Sequence, residues 1–293
     1  MMLKSKSWFA CLWMTGTLIW SSAAQAYVPP SAFLVKTWVT KHSGFKGARI
    51  KSLVTAPGNV QFKTVTLIDL SREVLRSGAY DLTGHLLYSV ERNLGTAGDA
   101  RLFSSILFEP DLGATVRALK AAGIPIRREA ELAQFNDDDE RRNFEKTSLA
   151  RWMGGVAWVI GGTGRVHTDP EFWLEKDKFL PVRLIARGDS GLWDAHYDGY
   201  RTYKEFPYPK VMTLFSSPQE PVSLAGGTPG APGGAATVAE APAFAFREEL
   251  QEFHPDPSLA ELKSPQKSGL TAAGESANNG LRDAIASYYR WVR

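Results

Sequence analysis

Along most of the chain apolar and polar residues alternate with the two-residue period of half-buried strands, and three stretches depart from it toward a helical period. Strand-like runs cover residues 45–55, 60–70, 72–80 and 85–92, then 147–152 and 155–161, then 192–203 and 211–215. The turn Asp81-Leu82-Thr83-Gly84 joins the third run to the fourth as a hairpin. Helical spacing is found in SAFLVKTWVTKHSG, where Phe33, Leu34, Trp38 and Val39 share a face, Ser31 can cap and Gly44 can stop the helix. It recurs in Ile106, Leu107, Leu112, Val116 and Leu119, as one helix or as two broken near Pro110. A last amphipathic helix is expected over 279–293, on Leu281, Ile285, Tyr288, Tyr289 and Val292.

Residues 171–184, EFWLEKDKFLPVRL, set bulky apolar runs on both sides of the charged tetrapeptide Glu175-Lys176-Asp177-Lys178. The charged residues need water and the flanks favour strands, so a hairpin is predicted here. Its flanks do not alternate: Phe172, Trp173 and Leu174 are apolar at both parities, as are Phe179 and Leu180. Either protein covers both faces of the sheet at this point, or one face is kept for a ligand.

Strands dominate, with one helix before them and another between two blocks of them. That order predicts an α+β fold, a curved antiparallel sheet with helices on one face, rather than alternating βαβ units. The cleaner parity of each strand gives one apolar face made of Ile50 and Val54; Leu86, Tyr88 and Val90; Val156, Trp158 and Ile160; Val182 and Leu184; and Trp193, Ala195 and Tyr197. Two short helices can hardly cover the concave side of about ten strands, so part of this face is a candidate apolar cavity. The competing expectation is that it packs on the helices alone.

Composition adds the compartment. The chain has 293 residues, 44% of them hydrophobic, enough for one sizeable core. Its first residues place Lys4 and Lys6 before an apolar run from Trp8 to Trp20 that closes on Ala24-Gln25-Ala26. This is the pattern of a secretory signal peptide over 1–26, cleaved after Ala26, with too short an apolar part for a stable membrane span. The single cysteine, Cys11, lies inside it, so the mature chain has no thiol and relies on its core rather than on disulfides. Without Lys4 and Lys6 there are 32 basic against 31 acidic residues, and nothing in that balance points to nucleic acid. From residue 217 the sequence turns rich in Gly, Pro and Ala, as in TPGAPGGAATVAEAPA, and reads as a flexible linker over 217–245, followed by a tail over 246–293.

No constellation for chemistry stands out. There is no G-x-S-x-G elbow, and the five histidines, His42, His85, His167, His196 and His254, form no H-E-x-x-H or other metal pair. His167 beside Asp169, and His196 beside Asp194 and Asp198, could act as acid or base only if folded into a cleft, and alternation puts His196 on a polar parity. The run Asp137-Asp138-Asp139 lacks the spacing of a calcium loop and reads as a solvated loop. Gly161-Gly162-Thr163-Gly164 lacks the lysine and the spacing of a phosphate loop and reads as a turn. No catalytic residue, metal or cofactor is therefore assigned.

Several segments together resemble the LolA-like, outer-membrane lipoprotein-sorting superfamily: VLRSGAYDLTGHLLYSVERN, the helix ending AAGI, WVIGG followed by FWLEKDKFLPVRL, and YRTYKEFPYPKVMTLF. The hairpin pattern W-x-x-K-x-x-x-x-P falls on Trp173, Lys176 and Pro181. The resemblance spans residues 31–215. It implies a half-barrel domain over 27–216, an incomplete β-barrel with helices over its concave face, in a divergent periplasmic member. It further implies a non-enzymatic protein whose cavity, lined by the apolar face above, accepts the acyl chains of a lipid or lipoprotein in outer-membrane transport. Arg76, on an early strand, would hold the lid, and the tail could engage an envelope protein partner. The alternatives are a barrel filled by its own side chains that serves as an interaction or sensor protein, and a hydrolase with an unrecognised site.

Overall fold

A computed structural model describes residues 28–42, 46–93, 103, 106–108, 111–127, 131, 133–134, 140, 144, 146–162, 169–188, 191–218, 243–255 and 268–291. The signal peptide, Cys11, Asp137 to Asp139, Thr163 and Gly164, His167 and most of the linker lie outside the described residues. Helix α1 (Ser31–His42) leads into β1 (Gly47–Ala56), β2 (Val60–Asp69), β3 (Val74–Tyr80) and β4 (Leu86–Asn93). A 3-10 turn (Ile106–Phe108) and α2 (Leu112–Ala121) follow. The second block is β5 (Thr147–Trp152), β6 (Gly155–Ile160), β7 (Glu171–Glu175), β8 (Pro181–Gly188), β9 (Gly191–Asp198), β10 (Arg201–Tyr203), β11 (Phe206–Tyr208) and β12 (Val211–Pro218). The chain ends with β13 (Ala243–Pro255), β14 (Gly269–Leu270), α3 (Ala272–Glu275) and α4 (Asn279–Trp291).

Twelve strands form one sheet in the order β14-β4-β3-β2-β1-β13-β12-β9-β8-β7-β6-β5, with all neighbours antiparallel. Its two edges do not pair with each other, so the sheet is an open half-barrel, and the α+β architecture matches the expectation from the sequence. The 3-10 turn and α2 are separate pieces, and Asp111 caps the second by accepting from Ala114 N at 2.7 Å.

The helices lie on one face, over a core that includes Leu34, Val35, Trp38 and Val39 of α1, Leu119 of α2 and Ile285, Tyr288 and Tyr289 of α4. A smaller cluster of Ala157, Val159, Trp173 and Val182 lies apart from it. This answers the question raised by the 171–184 hairpin. Phe172 and Leu174 belong to the helix-side core and Trp173, one residue out of phase, to the second cluster, so protein covers both faces at β7. The turn itself closes as the charged tetrapeptide predicts: Glu175 Oε2 accepts from Lys178 N at 2.6 Å, and Phe179 takes a positive φ of 59°.

The end of the chain differs most from expectation. Residues 243–255, read as linker and tail, form the strand between β1 and β12, in the middle of the sheet. Phe246, Glu248 and Leu250 are buried while Arg247 and Gln251 stay exposed, a strand alternation that the buried carboxylate of Glu248 disguises. Helix α4, expected at the end of a tether, packs against β2, and Gly274 of α3 sits so close to β4 that a Cβ there would run into the Leu87 carbonyl. Truncation after Ser217, which a tethered tail would tolerate, should therefore remove a central strand and abolish cooperative unfolding. Circular dichroism of the truncated protein checks this, and a native-like thermal transition would mean that the two half-sheets fold without β13.

Candidate functional site

The concave face of β1 to β4 and β13 carries a seat whose floor is made of small and hydroxyl-bearing residues. Ser52, Thr64, Thr66, Ser77 and Ala79 are all at or below 3% exposure, between the larger Ile50, Val54, Phe62 and Phe246. Register brings them together: Ser52 lies opposite Thr64 and Thr66 opposite Ser77. Small residues at the centre of a sheet leave room, and two adjacent tyrosines of α4 fill it. The Tyr288 ring meets Phe62 edge-on at 5.5 Å and Phe246 at 5.7 Å, and its hydroxyl donates to Glu248 Oε2 at 2.9 Å. The Tyr289 ring stacks on Tyr88 at 4.5 Å, and its hydroxyl lies 2.9 Å from Ser77 Oγ, itself 2.8 Å from Thr66 Oγ1. Arg92 Nη2 donates to the Tyr289 carbonyl at 2.8 Å, placing a cation at the last turn of the helix.

The other half of the concave face is filled in the same manner. Trp38 of α1 lies 5.2 Å from Phe172, Phe108 stacks on Phe206 and Tyr208, and Tyr197 donates its hydroxyl to the Phe103 carbonyl at 2.6 Å. Burial, then neighbouring Tyr208 and Asp194, push the Tyr197 phenol well above its ordinary pKa, so it stays a neutral donor. Between the halves, Ser52, Leu107, Tyr208, Met212, Glu248 and Leu250 line a pocket with about 10 Å³ for water centres, room for roughly one molecule.

Of the residues expected to line an apolar cavity, Ile50, Val54, Val90, Trp158, Ile160, Leu184, Trp193 and Tyr197 are buried in the helix-side core, with Tyr88 half-buried against it. The structure thus gathers most of them on one face, where protein covers them. Three fall elsewhere. Leu86 leaves the parity of Tyr88 because the pairing of β3 with β4 shifts between Ala79 and Tyr80; it lies by Gly78, and Leu87 enters the core instead. A register shift between Trp173 and Leu174 likewise moves Val182 into the second cluster, and Val156, beside the β5–β6 turn, is 41% exposed. Arg76, expected to hold a lid, lies one residue out of phase with Ser77, and its Nε donates to Glu91 Oε2 at 2.7 Å across the strand pair.

Sequence reasoning missed the buried ion pair on the other face. Arg183 Nε donates to Asp194 Oδ1 at 2.9 Å and Nη2 to Oδ2 at 2.6 Å, and the guanidinium lies 5.2 Å from both the Trp152 and Trp173 rings. His196 Nε2 is 3.1 Å from the same Asp194 Oδ1, with its ring held between Trp152 and Phe215. Alternation marks Arg183, Asp194 and His196 as outward-facing, but only the tertiary packing of two tryptophans shows that outward here means buried. His85 and His254 are exposed, beside Asp81 and Glu252. Among the described residues no three metal-ligating side chains cluster, and no helix is long and apolar enough to cross a membrane.

No family model and no curated protein matches the chain. In fold it is similar to a LolA superfamily protein from Nitrosomonas europaea, at 9% identity and a TM-score of 0.41, covering 78% of this chain and 96% of that one. A DUF1329 family protein from Desulfovibrio piger is similar at 9% identity and a TM-score of 0.35, covering 78% and 93%. MucB is similar at 13% identity and a TM-score of 0.29, covering 83% and 67%, and has also been solved in complex with the periplasmic part of MucA. The likeness concerns the fold.

Two outcomes follow from this geometry. Burial alone would raise the Asp194 pKa, but the hydrogen bonds and charges of Arg183 and His196 outweigh it and hold the carboxyl below its usual value. Its stabilising contribution is therefore complete above the ordinary carboxylate pKa and is lost as pH falls through the lower folded value. Asp194→Asn should cost about 3 kcal/mol at neutral pH, because the buried guanidinium loses its partner, and the gap to the parent should close on acidification. Urea unfolding across pH measures it; a gap independent of pH would show that the carboxylate charge is not what matters. On the helix side, Tyr289→Phe should lose about 1 kcal/mol, the worth of one hydrogen bond to Ser77, and Trp158→Leu roughly 1–3 kcal/mol.

Proposed function

We propose that this chain is a non-enzymatic periplasmic binding protein that shelters the acyl chains of a lipid or lipoprotein on the concave face of its half-barrel, and that α4 holds this place until a guest arrives. The observation that carries the proposal is the manner in which the seat is filled. A terminal helix occupies it with three fully buried side chains, Ile285, Tyr288 and Tyr289, and with Leu281 and Ala284 partly buried beside them. Burying three such side chains gains roughly 1.5–3 kcal/mol each. A twelve-carbon acyl chain, at about 0.8 kcal/mol per CH₂, gathers about as much, so guest and helix are near balance for one apolar trough. The helix-side residues Phe62, Tyr88, Val90 and Phe246 would then line the guest's path, with Ile50 and Val54 beneath.

A second reading has its own support: protein already covers the described residues of the helix-side core, and the pocket beside Ser52 and Glu248 has room for about one water, as in a permanently self-filled interaction or sensor protein. In that case the C-terminal segment is a structural part, and an envelope partner binds elsewhere.

The readings separate on a variant with a weakened helix. In Tyr288→Ala/Tyr289→Ala, guest exchange predicts saturable one-to-one binding of the neutral apolar probe Nile red, at least tenfold tighter than in the parent, with cooperative unfolding retained. A monoacylglycerol should compete for that site. A self-filled barrel predicts a lower unfolding midpoint and no gain in saturable binding, which would overturn the exchange.

A further inference from the structure

From the polar groups on the floor of the seat we infer the class of guest: an acyl amphiphile with an uncharged, hydroxyl-bearing head group, rather than a free fatty acid or another anion. The inference rests on the exchange reading above and deepens it. A trough meant for hydrocarbon alone has no use for polar side chains, because each one buried without a partner carries a desolvation cost. This seat carries five. Glu248 is 4% exposed, and Ser52, Thr64, Thr66 and Ser77 are each at or below 3%.

The resident helix shows what the floor accepts. It presents two neutral hydroxyls side by side, one donating to the Glu248 carboxylate and the other within hydrogen-bond reach of Ser77, which continues to Thr66. The helix leaves a remainder: Ser52 Oγ and Thr64 Oγ1, paired across β1 and β2, are buried and make no hydrogen bond. A polyol head satisfies the whole set, since each hydroxyl both donates and accepts; one can replace Tyr288 on Glu248, a second can replace Tyr289 on Ser77, and a third has Ser52 and Thr64 to meet.

Charge decides against the anion. Glu248 is the charged side chain buried among these floor residues, and a guest carboxylate beside it would set two like charges together away from water. Of the cations placed near the seat, Lys210 is exposed and lines the same pocket as Ser52 and Glu248, and Arg92 binds the backbone at the end of α4.

The test uses the Tyr288→Ala/Tyr289→Ala protein with Nile red bound, displaced at neutral pH by monomyristoylglycerol or by myristate, each below its aggregation concentration. The glycerol ester should compete at least tenfold better than the acid of the same chain length. Adding Glu248→Gln should erase that difference by admitting myristate. Independently, Thr66→Val/Ser77→Ala should weaken the glycerol ester and leave myristate unchanged, which keeps the inference open to refutation should the Glu248 variant fail to fold. Equal competition by the two ligands, or a preference that neither set of substitutions alters, would overturn the head-group assignment while leaving guest exchange in place. Failure of Nile red itself to bind would instead remove the exchange reading, and this inference with it.

Discussion

An antiparallel sheet of twelve strands that stops short of closing must cover a wide concave face, and almost every other feature of this chain answers that requirement. A closed barrel would bury its inner face against itself. Here the two edge strands stay apart, so the covering has to come from outside the sheet, and among the described residues it comes from α1 before the first strand, the 3-10 turn and α2 between the blocks, the β10–β11 hairpin, and α4 near the end. Each helix is short and none could stand alone in water. Their stability is the sheet's, since each exists by turning one apolar stripe toward it.

The same requirement explains why the last strand is central. β13 joins β1 to β12, and therefore joins the first block of strands to the second; before it pairs, the two half-sheets share no ladder. Some of the most distant pairings in the chain thus lie at its middle, with Ile50 opposite Phe253 and Val54 opposite Glu248. Closing such a long loop adds only a slowly growing entropic cost, so the topology remains accessible in stability and is slow chiefly in folding rate. Charge follows the same division. Lys51 meets Glu252 on the exposed side of β1 and β13, whereas Glu248, opposite Val54 further along the same pair, is turned to the helix side and meets the Tyr288 hydroxyl.

Much of this was legible in the sequence wherever period and burial agree. The first four strands, the helical face of Leu112, Val116 and Leu119 and the 171–184 hairpin follow from periodicity and turn chemistry, because in each of them hydrophobic residues coincide with one face or with two fully covered faces. Legibility failed where a polar residue is buried or a ladder slips. Glu248 broke the apolar parity of β13 and hid a central strand behind a Gly/Pro/Ala-rich approach; Leu86 and Val182 were assigned by parity across register shifts that no local pattern announces. Arg183 and Asp194 fall on the parity opposite the apolar face, and nothing in the sequence places Trp152 beside Trp173 to cover them. These failures share a cause: alternation reports which side of a strand a residue takes, not what lies over that side.

That distinction bears on how the concave face works. The strands supply a wall whose apolar positions would suit a hydrocarbon guest, yet the floor under α4 is hydroxyl-rich, and the wall alone gives no reason for that. A permanent plug could be seated more firmly on Val, Leu and Ala, where no hydrogen bond has to be kept and a mispacked helix leaves no orphaned polar group. Hydroxyls do something different. They restrict which occupant is tolerated, since an apolar helix or a bare acyl chain would leave them unpaired, and they lower the cost of an empty seat, since water can satisfy them when the helix departs. A floor whose hydroxyls can be met by water, a tyrosine pair or another set of hydroxyls would suit an occupant that comes and goes. The unpaired Ser52 and Thr64 are the sharpest sign of this, because the resident helix itself does not use them.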